Sequence, residues 1–441
     1  MIVQRFPALL ILSLACLAAG CDRAPGPPPT QVAAKPAGTE PVLLAPEIAA
    51  FYAERGNRPV WIAGGALRPG AVALIRRIAD AANDGLDPER YGAAELLAAE
   101  QAARGGDKRA LARAELLLSR AFTAFIPELR VPAAGGMKYI DSGLSPKPPA
   151  PRDLLEAAAT APSLSEHVDA VTAMNPLYES LRRGYSGWRS AKGPREAGEE
   201  QLIRTNLDRA RAIAGAAGRY VIVDAASARL WMVEGGRVVG DPMRVIVGKP
   251  DMQTPVMAGM MRYVTLNPYW NVPPDLARER ARKVLRGGTG LIARERMQIL
   301  SDWGDSPRLL TASQVDWGSV ASGRRTLRLR QLPGGANVMG RIKFMMPNDL
   351  GIYLHDFPDK SLFERSDRRL SSGCVRLSDA PRLARWLYRG EPPAPAGNAP
   401  EQNVDLPEAV PVYIAYLTVL PDGKGGLAFR PDTYGRDRRT A

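Results

Sequence analysis

The sequence is short of the side chains that most often carry metal, redox or nucleophilic chemistry. Its 441 residues include three cysteines and two histidines. Cys374 is the only cysteine beyond residue 21, and the histidines are His167 and His355. No stretch matches a zinc finger, a helix-turn-helix or a P-loop, and no internal repeat is visible, so the sequence gives little support to a nucleic-acid partner. We predict no metal ion and no cofactor.

The balance of charged and hydrophobic residues is more informative. A hydrophobic content of 45% and a charged content of 24% are ordinary for a globular protein, and the length allows two or more domains. The formal net charge of +13 suits an anionic partner, which would be nucleic acid, an anionic membrane surface or a wall polymer with carboxylates. Charge alone does not choose among these three.

The N-terminal stretch MIVQRFPALLILSLACLAAGC joins an early arginine, a short apolar run and small residues before Cys21. The run is too short to predict a membrane-spanning helix and is typical of an export signal, residues 1–20. Its end, LAAGC, resembles the lipobox of bacterial lipoproteins, which implies that Cys21 is lipidated and anchors the mature protein to a membrane. The alternative is ordinary signal cleavage with Cys21 incidental. Asp22 favours the inner membrane in enterobacteria, but inner or outer membrane stays open here.

Composition and periodicity divide the rest of the chain. Residues 21–41 are rich in proline and alanine and predict a flexible tether. Apolar residues recur every three or four positions over 42–214, which predicts a helical domain, whereas short β-branched runs over 215–435 predict a β-rich domain. The β-rich part contains an inserted segment at 271–325 and a Pro-rich loop at 390–409. The expected fold class is therefore α+β.

Three local patterns make this division testable. Leu111, Leu118, Phe122 and Phe125 follow helical spacing and are predicted to be buried on one face. The pair Gly235-Gly236 predicts a hairpin. The run GIYL predicts a strand over 350–354, which would leave His355 where a strand ends.

Cys374 is the candidate nucleophile. If Cys16 leaves with the signal and Cys21 is acylated, Cys374 is the one free thiol of the mature chain, and such a thiol is reactive in an oxidising compartment. His355 is the candidate base, whereas His167, in a helical stretch, is interpreted as an ordinary surface or packed histidine. Because Gly373 permits close backbone approach, nearby amides could stabilise an oxyanion. From the residues alone, acyl transfer competes with a buried structural cysteine and a strand-end histidine.

The stretch HDFPDKSLFERSDRRLSSGCVRL resembles the signature of the L,D-transpeptidases, which have a YkuD-type catalytic domain. The residues that carry the resemblance are His355, Ser371, Ser372, Gly373, Cys374 and Arg376. Many members have a second histidine where this chain has Ser372; the serine is typical of the larger periplasmic, YcbB-like subfamily with a helical scaffold domain. The stretches MRVIVGKPDMQTPV and NPYWNVPP are similar to that subfamily too. One departure is that GWRSAKGPREAGEE, residues 187–200, stands where relatives carry a peptidoglycan-binding module.

The resemblance implies a reaction. Cys374 would attack the third residue of a tetrapeptide stem and release D-alanine, and the amine of a second stem would resolve the acyl-enzyme into a 3→3 cross-link. His355 would move the protons, and the amides of Gly373 and Cys374 would form the oxyanion hole. The insertion at 271–325 would be a capping subdomain that acts as a lid. Carbapenems are expected to inhibit by acylating the cysteine.

Other site residues follow with alternatives. Arg376 would order the site or meet a stem carboxylate, or else form an ion pair that stabilises the loop. Tyr353 lines the site or packs in its strand. Tyr269 and Trp270 are candidate substrate-lining residues, with core packing the favoured alternative. Ser371 and Ser372 would position the loop through hydrogen bonds. For orienting His355, a backbone carbonyl is favoured over Asp356, because adjacent side chains rarely face one another.

The acyl-enzyme leaves several functions open. Resolution by water would give an L,D-carboxypeptidase or endopeptidase, and a protein acceptor would give attachment or release of a wall lipoprotein. A non-catalytic wall-binding lipoprotein is the alternative from another class; an unpaired thiol argues against it. The expected partners are peptidoglycan stem peptides and, through the lipid anchor, a membrane. The expected location is the periplasm of a Gram-negative bacterium.

Overall fold

The computed structural model describes residues 42–133, 136–213, 215 and 217–437. The predicted signal, the tether and Cys21 lie outside these residues. None of the helices in this part of the chain is long and apolar enough to cross a membrane.

The first half of the described chain is helical. Its α-helices are α1 (Pro46–Glu54), α2 (Pro69–Ala79), α3 (Ala93–Ala103), α4 (Lys108–Arg130), α5 (Pro151–Thr160), α6 (Leu164–Thr172), α7 (Pro176–Ser190) and α8 (Glu199–Arg211). Three short strands accompany them: β1 (Ile62–Ala63), β2 (Ala66–Leu67) and β3 (Lys138–Tyr139). The predicted helical domain is confirmed as a helical region.

Helix α4 shows why this region folds as it does. It begins where the Asp107 carboxylate accepts a hydrogen bond from the Ala110 amide at 2.8 Å, which satisfies one of the unpaired N–H groups of the first turn. The predicted face of Leu111, Leu118, Phe122 and Phe125 is buried, with each residue at most 5% exposed. The spacing of apolar residues therefore identified the core side of this helix correctly.

The second half is rich in strands. The long elements are β4 (Arg219–Asp224), β5 (Arg229–Glu234), β7 (Met243–Gly248), β8 (Met257–Leu266), β13 (Ile342–Met345) and β17 (Gln402–Ala415). The shorter strands are β6 (Arg237–Val238), β9 (Trp270–Val272), β10 (Met297–Leu300), β11 (Leu309–Leu310), β12 (Arg328–Gln331), β14 (Leu354–Asp356), β15 (Arg369–Ser371), β16 (Val375–Leu377), β18 (Val419–Pro421) and β19 (Leu427–Phe429). Helices α9 (Pro274–Gly287), α10 (Gly290–Arg294), α11 (Trp317–Ser322) and α12 (Ala380–Tyr388) complete the list. The glycine pair turns β5 into β6 with positive φ at both glycines, which confirms the predicted hairpin.

The main sheet closes on itself. Its strands follow the order β15-β7-β16-β14-β13-β8-β17-β4-β5-β6, and a further pairing of β5 with β7 joins eight of them into a ring. Strands β14 and β16 pair in parallel, with His355 opposite Arg376. Leu354 and Val375 belong to the apolar core inside the ring. Because side chains alternate across a strand, His355 and Arg376 point to the outer face.

The insertion forms a compact subdomain on the ring. Strands β11-β10-β12-β9 make a four-stranded sheet, and helices α9, α10 and α11 pack on it around a separate core. Its elements run over 270–331, a range that encloses the segment 271–325 identified in the sequence. Tyr353, on the outer face of the ring, packs against this core. The subdomain therefore lies over the face that carries His355.

One predicted boundary differs from the structure, and the predicted helical range also contains a strand. The Pro-rich loop ends at residue 401 rather than 409, because β17 begins at Gln402. Its pairing with β8 shifts register between Asp405 and Val410, where Pro407 has no N–H to donate to the ladder. The helical region also contributes a strand to the ring, since β3 pairs in parallel with β8.

Candidate active site

Cys374 lies in the tight turn between β15 and β16. The turn depends on Gly373, whose φ of +114° is a conformation that residues with a Cβ rarely adopt. A Cβ at this position would lie 3.3 Å from Cδ1 of Ile352. Glycine therefore allows the chain to bend sharply and to present the next side chain, which is a partly buried free thiol.

Hydrogen bonds from two hydroxyl groups hold this turn. The Ser371 hydroxyl donates to the carbonyl of Cys374 at 2.6 Å and accepts from the Gly373 amide at 3.2 Å. The Thr254 hydroxyl donates to the Gly373 carbonyl at 2.7 Å and accepts from the Gly248 amide at 2.8 Å. Ser371 is buried, whereas Ser372 is exposed. Ser371 and Thr254, rather than Ser372, position the turn.

His355 lies within a strand, so the prediction that it follows a strand over 350–354 is wrong. The Asn348 side chain accepts from the Leu350 and Ile352 amides at 3.0 and 3.1 Å and donates to the Ile352 carbonyl at 2.7 Å. These bonds occupy backbone groups that a strand would need, and β14 begins only at Leu354. The correction places His355 in register with Arg376, one strand away from the thiol turn.

The orientation of the imidazole is set by a backbone carbonyl, as expected. Nδ1 of His355 lies 2.6 Å from the carbonyl oxygen of Asp356. Because a carbonyl only accepts, Nδ1 carries the proton and Nε2 keeps its lone pair. The Asp356 carboxylate has other partners: the Lys360 ammonium at 2.8 Å and the Arg341 amide at 3.1 Å. It does not orient the ring.

Both groups of the thiol–imidazole pair are neutral near pH 7. Burial, followed by the positive charge of Arg376, lowers the pKa of His355 to about 3. Burial raises the pKa of the Cys374 thiol, and the backbone N–H and hydroxyl of Tyr353 oppose this rise, as does the charge of Arg376 to a smaller extent. The resting site therefore holds a thiol and a neutral base rather than a thiolate–imidazolium pair.

Tyr353 contacts both members of this pair. Its ring packs edge-on against His355, with 5.8 Å between centroids. Burial, and then the negative charge of an ionised Cys374, raise the pKa of the Tyr353 hydroxyl. The Cys374 sulfur also lies 3.6 Å from the Gly351 carbonyl, a weak acceptor for the thiol proton. Tyr353 thus lines the site and does not serve only as strand packing.

Arg376 is a cation without an anion. Its guanidinium lies 4.4 Å from the centroid of the Phe357 ring. Its Nε is buried with no hydrogen-bond partner among the described residues, and burial lowers the pKa of the group. The alternative of a loop-stabilising ion pair finds no carboxylate within the described part of the chain. The charge is instead available beside Cys374 and His355.

The remaining predicted residues have contacts with groups other than the thiol. Trp270 is buried in the core of the inserted subdomain, with the Arg280 guanidinium 4.6 Å from its ring. The Tyr269 ring is covered by Arg330 at 4.1 Å. Core packing was the favoured alternative for this pair, and it holds for Trp270. His167 packs near Phe122, 6.4 Å between ring centroids, in the helical region.

Thr254 and Lys343 are two site residues that the sequence analysis did not single out. Thr254 belongs to the quoted stretch MRVIVGKPDMQTPV, but nothing in its local pattern points to Gly373, more than a hundred residues away. Lys343 lies directly opposite His355 on β13 and is 8% exposed. A lysine between apolar neighbours in IKFM was the available signal, since lysine is rarely buried without a partner.

Known protein families match both halves of the chain. A family model described as the L,D-transpeptidase catalytic domain matches residues 218–412, and one described as a scaffold domain matches residues 46–184. A curated protein from Haemophilus influenzae, named "Putative L,D-transpeptidase", is 26% identical over 410 residues, which are 91% of this chain and 80% of that protein.

Two solved structures match part of the chain. An L,D-transpeptidase from Mycobacterium smegmatis matches 45% of this chain and 58% of its own, at 15% identity and a TM-score of 0.22. The carbamoyl enzyme of Ldtfm with avibactam matches 50% of this chain and 63% of its own, at 11% identity and a TM-score of 0.19. The chain thus spans less than two thirds of either structure.

Proposed function

We propose that this protein, with its match to the L,D-transpeptidase catalytic domain, joins peptidoglycan stem peptides by 3→3 cross-links through an acyl-enzyme on Cys374. The observation that carries the proposal is that Tyr353 joins the free Cys374 thiol, whose pKa it influences, to the buried His355 imidazole, whose Nδ1–H is already engaged. A free thiol on one strand turn and an oriented neutral base on the neighbouring strand suit nucleophilic acyl transfer.

In the first half-reaction the thiol proton leaves as the sulfur attacks. Because the pKa of Cys374 is raised and that of His355 is lowered, proton transfer to Nε2 accompanies formation of the bond from sulfur to the carbonyl carbon. The C–N bond to D-alanine then breaks, and the imidazolium gives its proton to the leaving amine. The products are a thioester and free D-alanine.

Charge develops on the carbonyl oxygen during this attack. The Gly373 amide already donates to the Ser371 hydroxyl, so it is not the first choice of donor. The Tyr353 N–H favours the thiolate form of Cys374, so we assign it to the sulfur and assign the Cys374 amide to the oxyanion. The unpaired Arg376 guanidinium is the group we assign to a carboxylate of the donor stem, since guanidinium and carboxylate match in geometry.

In the second half-reaction the amine of an acceptor stem attacks the thioester. Nε2 of His355 takes a proton from this amine, the C–S bond breaks, and the proton passes to the sulfur, which restores the resting state. We propose that the inserted subdomain acts as the lid, because it packs against Tyr353 and can exclude water that would hydrolyse the thioester.

The test is muropeptide analysis of purified protein incubated with wall fragments that contain tetrapeptide stems. We expect new 3→3 dimers and release of D-alanine with wild type, and neither product with Cys374→Ala. Tripeptides without dimers would support hydrolysis instead, and dimers that persist in Cys374→Ala would refute the nucleophile. Covalent addition of a carbapenem to wild type but not to Cys374→Ala tests the same atom without a wall substrate.

We further propose that the enzyme works in the periplasm of a Gram-negative bacterium, anchored by lipid on Cys21. The LAAGC sequence supports lipidation, and the net charge of +13 suits a polymer that carries carboxylates. Fractionation of cells that express Cys21→Ser tests the anchor: the variant should leave the membrane fraction, and retention there would contradict lipidation.

A further inference from the structure

Lys343 is a buried charge that the proposed reaction does not use. It is 8% exposed and lies directly opposite His355, which in turn lies opposite Arg376. Paired residues point to the same side of a sheet, so Lys343, His355 and Arg376 form a polar row on the outer face of the ring. Each cation of this polar row flanks the imidazole from a neighbouring strand.

Two groups keep the ammonium of Lys343 in place. Nζ lies 3.6 Å from the Glu401 carboxylate and 5.6 Å from the centroid of the Tyr353 ring. A buried lysine is costly without such partners, whereas a charge over an aromatic face is attracted to it. The contact with Tyr353 matters most for the site, because Tyr353 reaches the Cys374 sulfur and packs on His355.

Glu401 connects Lys343 to the base of the inserted subdomain. Its carboxylate accepts from the Tyr269 amide at 2.6 Å, one residue before β9 begins. Its own amide donates to the Asn267 carbonyl at 3.0 Å. Glu401 and Asn267 both have left-handed backbones, with φ of +55° and +46°. Such conformations are strained for residues with a Cβ and persist where the surroundings demand them.

We propose that Lys343 and Glu401 form a positioning clasp: Lys343 seats Tyr353 and the polar row beside Cys374, and Glu401 ties that row to the strand that leads into the inserted subdomain. The inference rests on the proposed role of Cys374 as nucleophile. Neither residue touches the reacting atoms, so both are positioning residues rather than catalytic ones.

The clasp has a signature in the reactivity of Cys374. The charged or titratable groups that act on the thiol are Tyr353, Arg376 and Lys343, and the positive charge of Lys343 favours the thiolate. Glu401 acts in the other direction, since its negative charge raises the pKa of Tyr353, which faces the sulfur. Removal of the two charges should therefore move the titration of Cys374 in opposite directions.

The experiment measures the pH dependence of Cys374 alkylation by iodoacetamide, followed by peptide mass spectrometry on the full-length protein. With Lys343→Met the midpoint of Cys374 alkylation should rise by about half a pH unit to one unit. With Lys343→Arg, which keeps the positive charge, the midpoint should stay close to the wild-type value. With Glu401→Gln, which keeps an acceptor for the Tyr269 amide, the midpoint should fall. Lys424→Met, at an exposed lysine in the turn between β18 and β19, is the matched control and should leave the midpoint unchanged.

A second readout follows the imidazole. The chain has two histidines, so ¹⁵N-histidine spectra are assigned with a single His167→Asn variant. In Lys343→Met the Nε2 signal of His355 should titrate at higher pH, because a flanking cation is gone.

The direction of the shifts distinguishes a clasp from a general loosening of the site. Shifts of Cys374 in the same direction in both variants would indicate loosening and overturn the clasp, as would no shift in folded protein. If Lys343→Met does not fold, Glu401→Gln decides alone, because its side chain is 37% exposed. Alkylation needs no wall substrate, so a failed cross-linking assay would refute the proposed function without deciding this test.

Discussion

Buried charged groups have different sets of partners in the helical region and at the outer face of the ring. In the helical region Asp84 is fully buried, and its carboxylate binds the Arg77 guanidinium, with one oxygen–nitrogen distance of 2.9 Å. The same carboxylate lies 3.1 Å from Nε of Arg182 and accepts a hydrogen bond from the Tyr178 hydroxyl at 2.8 Å. On the ring, Arg376 has no anionic partner among the described residues, and His355 is kept neutral between two cations.

The contrast separates structural charge from functional charge. Desolvation of an ion is repaid only when partners are well placed, which the cluster around Asp84 achieves, and there the arginines hold the pKa of the carboxyl below its usual value in spite of burial. An incomplete set of partners costs stability, and a chain keeps such a set where a ligand completes it. The two kinds of charge should therefore respond differently to substitution.

Asp84→Asn should damage stability and spare chemistry. The amide removes the negative charge and sets an NH₂ group against Arg77 and Arg182, which leaves two cations unpaired in the helical core. We expect a loss of about 3–5 kcal/mol in the free energy of unfolding, measured by denaturant titration. Alkylation of Cys374 per folded molecule should stay at the wild-type rate. A loss of reactivity with intact folding would contradict the assignment of Asp84 as a purely structural charge.

His355 should make the protein sensitive to acid. Its pKa of about 3 in the folded state lies below the unfolded value of about 6.5, so the unfolded state binds more protons between these limits. Stability should therefore fall as the pH drops below about 6.5, by about 2 kcal/mol at pH 5 relative to pH 7 from this group alone. Comparison with His355→Asn, which keeps a donor for the Asp356 carbonyl, isolates the contribution.

The matched control for this titration is His167→Asn. The pKa of His167 is also lowered by burial. His167 lies in helix α6, so it is not flanked by cations on neighbouring strands as His355 is. Its acid-dependent loss should be smaller than that of His355. Equal contributions from the two histidines would contradict the difference drawn between the two regions.

Arg376→Met should lower activity and spare stability, the opposite of what is expected for Asp84→Asn. Because the guanidinium is partly buried and has no anionic partner, its removal should leave the free energy of unfolding unchanged or slightly higher. Cross-linking should fall about tenfold, the loss expected for one charged contact to substrate. Two measurements are needed for the variant and for wild type: kcat/KM of cross-linking and the midpoint of unfolding. A strong loss of stability would show that Arg376 is structural.

The sequence supplied candidate residues for the site more readily than their arrangement in space. The scarcity of cysteine and histidine made Cys374 and His355 the candidates, which remain predictions. Because adjacent side chains rarely face one another, a backbone carbonyl was favoured over the Asp356 carboxylate as the partner of His355, and the structure confirms this. The inward face of α4 followed from helical spacing. Each of these inferences uses neighbours along the chain or a simple count.

What the sequence did not reveal depends on register between distant strands. Lys343 meets His355 only because β13 pairs with β14, and Thr254 reaches Gly373 across a separation of 119 residues. The prediction of a strand over 350–354 was wrong for a similar reason. The Asn348 side chain forms hydrogen bonds with the N–H and the carbonyl of Ile352, which are therefore not available to a strand. Periodicity does not report such side-chain competition.

The smallest effect distinguishes the two serines of the turn. Ser371 bonds the Cys374 carbonyl and the Gly373 amide, so Ser371→Ala should cost about 1 kcal/mol and slow alkylation of Cys374, because the turn that presents the thiol loses its brace. Ser372 is exposed, and Ser372→Ala should stay within about 0.5 kcal/mol of wild type. If Ser372→Ala lowers cross-linking while alkylation of Cys374 is unchanged, the Ser372 hydroxyl contacts substrate rather than the turn. Ser371 would then be a structural residue and its neighbour Ser372 a functional one.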